Sequence, residues 1–149
     1  MILLTTAHAT SSAPPSVFFD RWADTDTWPE WDHAVLWVRR DGPFAVGTTG
    51  TLKPRGGPKV KFVIETLVPG REFTDRSSMP GASLTIRHEV GVQPDGRTGV
   101  DITVSLDGPL ARVWKLLVGR GVAESTPAGL QRLVEVAESA PVPGSGVAP

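Results

Sequence analysis

Between residues 59 and 107 apolar and polar side chains alternate. Val60, Phe62 and Ile64 share one face of the run 59–67, and Leu84, Ile86, His88 and Val90 share one face of 82–92. Over 98–107, Val100, Ile102, Val104 and Leu106 stand against Asp101, Thr103, Ser105 and Asp107. A period of two marks half-buried strands. Val68-Pro69-Gly70, Met79-Pro80-Gly81 and Pro94-Asp95-Gly96 separate the runs, and turns this tight join antiparallel neighbours. Runs at 2–9, 35–39, 47–54 and 71–77 bring the predicted strands to seven. The Thr- and Gly-rich 47–54 reads as bent or bulged.

Two regions change the period. Val17, Phe18 and Trp22 recur at helical spacing after Ser12, the expected cap, with Pro14 and Pro15 tolerated in the first turn. Thr27-Trp28-Pro29-Glu30 has the form of a capping box and opens a second short helix carrying Trp31. From Pro109, a stripe of Leu110, Val113, Trp114 and Leu117 resumes at Leu130, Leu133, Val134 and Ala137. Gly119, Gly121 and Pro127 interrupt it, which predicts a kink or a loosened turn. The order predicts an α+β domain over 1–139: a curved antiparallel sheet of about seven strands, two short helices after the first strand, and a long C-terminal helix covering the apolar face. The tail 140–149, rich in Pro, Gly and Ala, reads as a disordered linker.

The chain has 149 residues, enough for one domain to bury a core, and no cysteine. That excludes disulfides and thiolate metal sites. The net charge is −1, with 15 basic residues dispersed among 16 acidic ones, so the footprint of a nucleic-acid binder is missing. No run approaches a membrane span and the N-terminus lacks a basic n-region, so the expectation is a cytoplasmic protein without stable membrane insertion, a monomer or homodimer. Scarce lysine beside abundant Arg, Gly, Pro and Ala suggests a high-GC bacterial genome.

The segment Ser12-Ala13-Pro14…Val17-Phe18…Trp22-Ala23-Asp24…Trp28-Pro29-Glu30-Trp31 resembles the opening of the START/Bet v 1-like (SRPBCC) superfamily. Within it, the polyketide cyclase/dehydrase and lipid-transport-like group is the nearest in pattern. Gly47…Gly50, Val68-Pro69-Gly70-Arg71…Phe73, Gly96…Thr98 and Gly108-Pro109-Leu110 follow in the expected order, so the resemblance spans roughly 2–138. It implies a helix-grip fold, in which a seven-stranded sheet grips the C-terminal helix around a cavity. It does not choose among carriers, cyclases and surface-acting members.

His88 shares the expected concave face with Leu84, Ile86 and Val90. It can serve there as a general acid or base, or be an ordinary buried histidine paired with a neighbour. Asp75 shares a face with Phe73 on the adjacent strand and can orient the imidazole as a carboxylate does in a dyad, or be solvated at a strand end. Trp31, Trp37, Phe62, Ile64, Phe73, Leu84, Ile86, His88, Val104, Trp114 and Leu117 are the expected pocket lining, with Trp22 assigned to the core. His8 and His33 form no metal-ligand spacing, so neither a metal nor a cofactor is expected. Three functions remain open at this point. One is a binder of a small hydrophobic or aromatic ligand, lipid-like or polyketide-like. The second is an aromatase/cyclase-type enzyme using His88, and the third an interaction module with a filled core.

Overall fold

The computed structural model describes residues 1–139; the predicted tail lies outside them. The elements run β1 (Ile2–Ser11), α1 (Pro15–Ala23), a 3-10 turn (Thr25–Thr27), α2 (Trp28–Trp31), β2 (Val35–Arg40), β3 (Thr49–Pro54), β4 (Val60–Val68), β5 (Glu72–Met79), β6 (Ala82–Val92), β7 (Thr98–Asp107) and α3 (Ala111–Ser139). The seven strands form one antiparallel sheet in the order β1-β7-β6-β5-β4-β3-β2. Only the β1–β7 pair joins strands distant in sequence, so the sheet is a run of hairpins closed by its first strand.

Register slips between Leu3 and Thr5, Val35 and Trp37, and Ile64 and Thr66 mark bulges. Bulges sharpen twist and bend a strand, and they curve this sheet. Its inner face carries Phe62, Phe73, Val100, Val104 and Leu106, all buried. Its outer face carries Glu72, Arg87, Glu89 and Asp101, tied by ion pairs such as Arg87–Glu72 at 3.1 Å.

Gly50 makes one close approach possible. A methyl there would overlap the Phe62 ring and sit 2.7 Å from the Arg39 carbonyl oxygen. The bare backbone of β3 lets Phe62 lie across it and reach Trp28, whose ring stacks at 6.4 Å.

Two local expectations are corrected. Ser12 does not cap α1: the helix starts after Pro14, with no side-chain cap, and the Ser12 amide donates instead to Glu138 Oε2 at 3.2 Å. The capping box at Thr27 does not form, because the 3-10 turn runs straight into α2 and leaves Thr27 already helical. Its hydroxyl donates to Asp24 O at 2.7 Å, while Glu30 pairs with Arg21. The helix α3 runs without a break from Ala111 to Ser139, with Pro127 inside it. Leu130, Leu133, Val134 and Ala137 are buried immediately after the proline, and that anchorage holds the helix through the lost hydrogen bond.

Candidate functional site

The inner face divides into a filled end and a partly covered one. At the filled end, α1 and α2 lay Trp22 and Trp28 against the sheet. Phe73 and His88, opposite each other on β5 and β6, stack at 4.0 Å with their planes 7° apart. Trp22 tilts against His88 at 5.2 Å, and Phe44 and Trp28 reach Phe73 at 5.3 and 5.9 Å. His88 Nδ1–H donates to the Phe73 carbonyl at 3.3 Å. Burial pushes its pKa down to about 3, although the carbonyls of Phe73 and Ile86 favour the protonated ring. The imidazole is therefore neutral and held flat inside an aromatic cluster. Of the two readings of His88, this geometry is that of the buried histidine paired with backbone.

Asp75 sits diagonally across from His88, directly opposite Ile86 and Ile64. It is 5 % exposed, and its carboxylate receives no hydrogen bond from the described residues. The expected Asp75–His88 dyad is not made, since the imidazole is committed to Phe73. Burial first, and the charge of Asp32 second, push the Asp75 pKa up to about 7. Asp32 is itself raised by burial, against the Ala34 amide at 3.1 Å and the charge of Arg132. Arg132 Nε donates to the Trp31 carbonyl at 3.0 Å. The indole N–H groups of Trp22 and Trp31 are buried with no acceptor among the described residues. Nothing in the spacing of Asp32 and Arg132 signals this gathering, because they come from different ends of the chain and meet only when α3 folds back onto α2.

The partly covered end lies beyond Asp75. Leu84, Ile86 and Leu52 face inward by register but stay partly exposed, whereas Val104 and Leu106 on the next strand are buried. The cause is the path of α3, which lies chiefly over β1 and only lightly over β7 and β6. Of the expected lining, Phe62, Ile64, Phe73, His88, Val104 and Trp31 belong to the closed core, and Leu84 and Ile86 to the partly covered surface. Trp114 is half-buried, its indole N–H donating to Pro80 O at 2.8 Å. Trp37 and Leu117 are placed elsewhere. The bulge in β2 leaves Trp37 38 % exposed, and Leu117, 68 % exposed, points away from the sheet.

A surface groove of about 580 Å³ runs along Arg71, Glu72, Glu89, Gln93 and Asp101. It lies on the outer side of the sheet, mixes these polar residues with Val68, Val92 and Pro94, and touches none of the expected lining residues.

The family model described as polyketide cyclase / dehydrase and lipid transport matches residues 4–138, nearly the whole described chain. The chain belongs to this family. No curated protein matches it in sequence. Among solved structures, the Zhui aromatase/cyclase from Streptomyces sp. R1128 superposes with a TM-score of 0.73 at 14% identity, covering 90% of this chain and 92% of that one. The hypothetical protein jhp0584 from Helicobacter pylori gives 0.75 at 13%, covering 89% and 86%. Ara h 8.0201 gives 0.68 at 17%, covering 91% and 97%. At such identities the likeness is one of fold, and family membership leaves both ligand carriage and cyclase-type chemistry within reach.

Proposed function

We propose that this family member binds a small hydrophobic ligand on the inner face of the sheet, beneath the first half of α3. Leu52, Leu84 and Ile86 supply apolar contact and Asp75 the polar anchor. The observation that carries the reading is Asp75. A carboxyl group 5 % exposed takes no hydrogen bond from the described residues, where buried polar groups are ordinarily paired; unlike the indole nitrogens of Trp22 and Trp31, its oxygens keep some contact with solvent. A ligand group offering a hydrogen bond completes it. Aromatic and aliphatic neighbours with one polar group are the usual make-up of such sites.

A second reading concerns chemistry. A carboxyl group that titrates near neutrality in apolar surroundings has the properties of a general acid or base. In a cyclisation or dehydration that role falls to Asp75 more readily than to His88, whose ring is neutral and closed in. An interaction module with a wholly filled core fits less well, since Leu84 and Ile86 remain partly exposed on the inner face.

The test is native mass spectrometry of the gently purified chain, followed by fluorescence titration with anilinonaphthalene sulfonate. Wild type is expected to bind the dye, and Ile86→Trp, which fills the partly covered end, to weaken it by about ten-fold or more. Dye binding unaffected by Ile86→Trp would sink the inner-face site.

A further inference from the structure

The first half of α3 turns an apolar ridge to solvent. Leu110, just before the helix, is 45 % exposed, Val113 48 %, Leu116 87 % and Leu117 68 %. The helix is anchored on its other side: a side chain at Gly119 would come within 3.8 Å of Leu4 on β1, and Ala111 is buried. Leu117 precedes Gly119 by two residues, about 200° around the helix. The stripe that reads in sequence as a core face therefore looks outward here.

The charges around the ridge are of one sign. Arg112 borders Leu116 and Arg120 continues the ridge a turn on, while Lys115 lies along the anchored side beside Gly119, and no acid occurs between Asp107 and Glu124. Those two flanking acids are already engaged, Asp107 with the Met1 amine at 3.3 Å and Glu124 with Arg120 at 3.4 Å.

We infer that this face, Leu110, Val113, Leu116 and Leu117 with Arg112 and Arg120, docks on an anionic lipid bilayer. An amphipathic helix lying in the interface buries its apolar flank among acyl chains while long cationic side chains reach the headgroups. Basic residues near an anionic leaflet add attraction that salt screens. A second copy of the chain is a poorer occupant. A two-fold interface sets the same patch against itself and would bring Arg112 and Arg120 against their own copies. The ridge borders Trp114 and the partly covered end of the inner face, so docking would bring that end to the membrane surface.

Vesicle flotation without any added ligand tests this, which keeps it separate from the inner-face reading. The chain is expected to float with phosphatidylcholine–phosphatidylserine vesicles at low salt, to float much less with phosphatidylcholine alone, and to detach as salt rises. Val113→Glu combined with Leu116→Glu is expected to cut binding about ten-fold or more, with an unchanged circular dichroism melt and unchanged dye affinity. Arg112→Glu with Arg120→Glu should do the same for anionic vesicles. The inference is overturned if wild type ignores anionic vesicles at low salt, or if the Val113/Leu116 variant floats as well as wild type. It is equally overturned if sedimentation shows a dimer that this variant dissociates while neither protein binds lipid.

Discussion

Asp75 and His88 stand on neighbouring strands, both buried, and burial moves their protons in opposite directions. Asp75 is raised from 3.8 to about 7, so between those values the folded chain keeps a proton that the unfolded chain has released. Its contribution to stability is intact below about pH 4 and is lost as the pH rises through 7. His88 is lowered from 6.5 to about 3, so the unfolded chain binds a proton that the folded chain refuses. Its contribution is intact above about pH 6.5 and is lost as the pH falls toward 3. Between pH 4 and 6.5 the two slopes oppose each other, and wild-type stability should be nearly flat. Asp75→Asn removes one slope. Urea unfolding should find the variant within error of wild type near pH 4 and more stable by about 1–4 kcal/mol at pH 8. A constant offset across the range would refute the buried, raised carboxyl. The period of the two strands placed both residues on the inner face. It could not reveal that the imidazole prefers the Phe73 carbonyl to the carboxylate, because that choice depends on which ring stacks on Phe73.

The long helix shows why an element can be read correctly and still misassigned to its neighbours. The stripe at Leu110, Val113 and Leu117 has helical spacing, and Val113 and Leu117 are helical, with Leu110 in the turn just before. Whether a stripe is buried depends on the path of the helix over the sheet, and α3 leans toward β1. Its second half is anchored by Leu130, Leu133, Val134 and Ala137, whereas its first half rests on little more than Ala111 and partial contacts of Trp114 and Val122. Pro127 removes one hydrogen bond at the junction, and Gly119 and Gly121 weaken the half that packs least. Amide exchange should therefore be faster over 112–126 than over 129–138, and Pro127→Ala should narrow the gap while raising stability. Uniform protection along the helix would show that the two halves open together. The β3 strand makes a second case at this scale. Gly50→Ala should cost about 1–3 kcal/mol by thermal or urea unfolding, because Phe62 must leave its place over the strand and its stack on Trp28.

On the scale of the whole molecule, hairpin order, strand number and the closing helix were legible because each rests on local periodicity and turn chemistry. The division of the inner face into two ends was not, because it depends on where α1, α2 and α3 come to lie. Trp22, Trp28 and Phe44 fill one end around Phe73 and His88, while Leu52, Leu84 and Ile86 stay partly exposed at the other. The two ends should answer opposite mutations differently. Phe73→Ala empties a fully buried position that touches Trp22, Trp28, Phe44 and His88, and should cost about 3–5 kcal/mol. Ile86→Trp adds bulk, which a filled core would resist at a cost of about 1–3 kcal/mol. At a partly covered face the indole instead finds room, and stability should change by less than about 1 kcal/mol while dye binding falls. Measured together by urea unfolding and dye titration, the pair separates a ligand-binding inner face from a filled one. If Ile86→Trp destabilises the chain as an overpacked core would, the space beneath α3 is already occupied by the protein itself, and Asp75 then reads as a buried charge within a filled core.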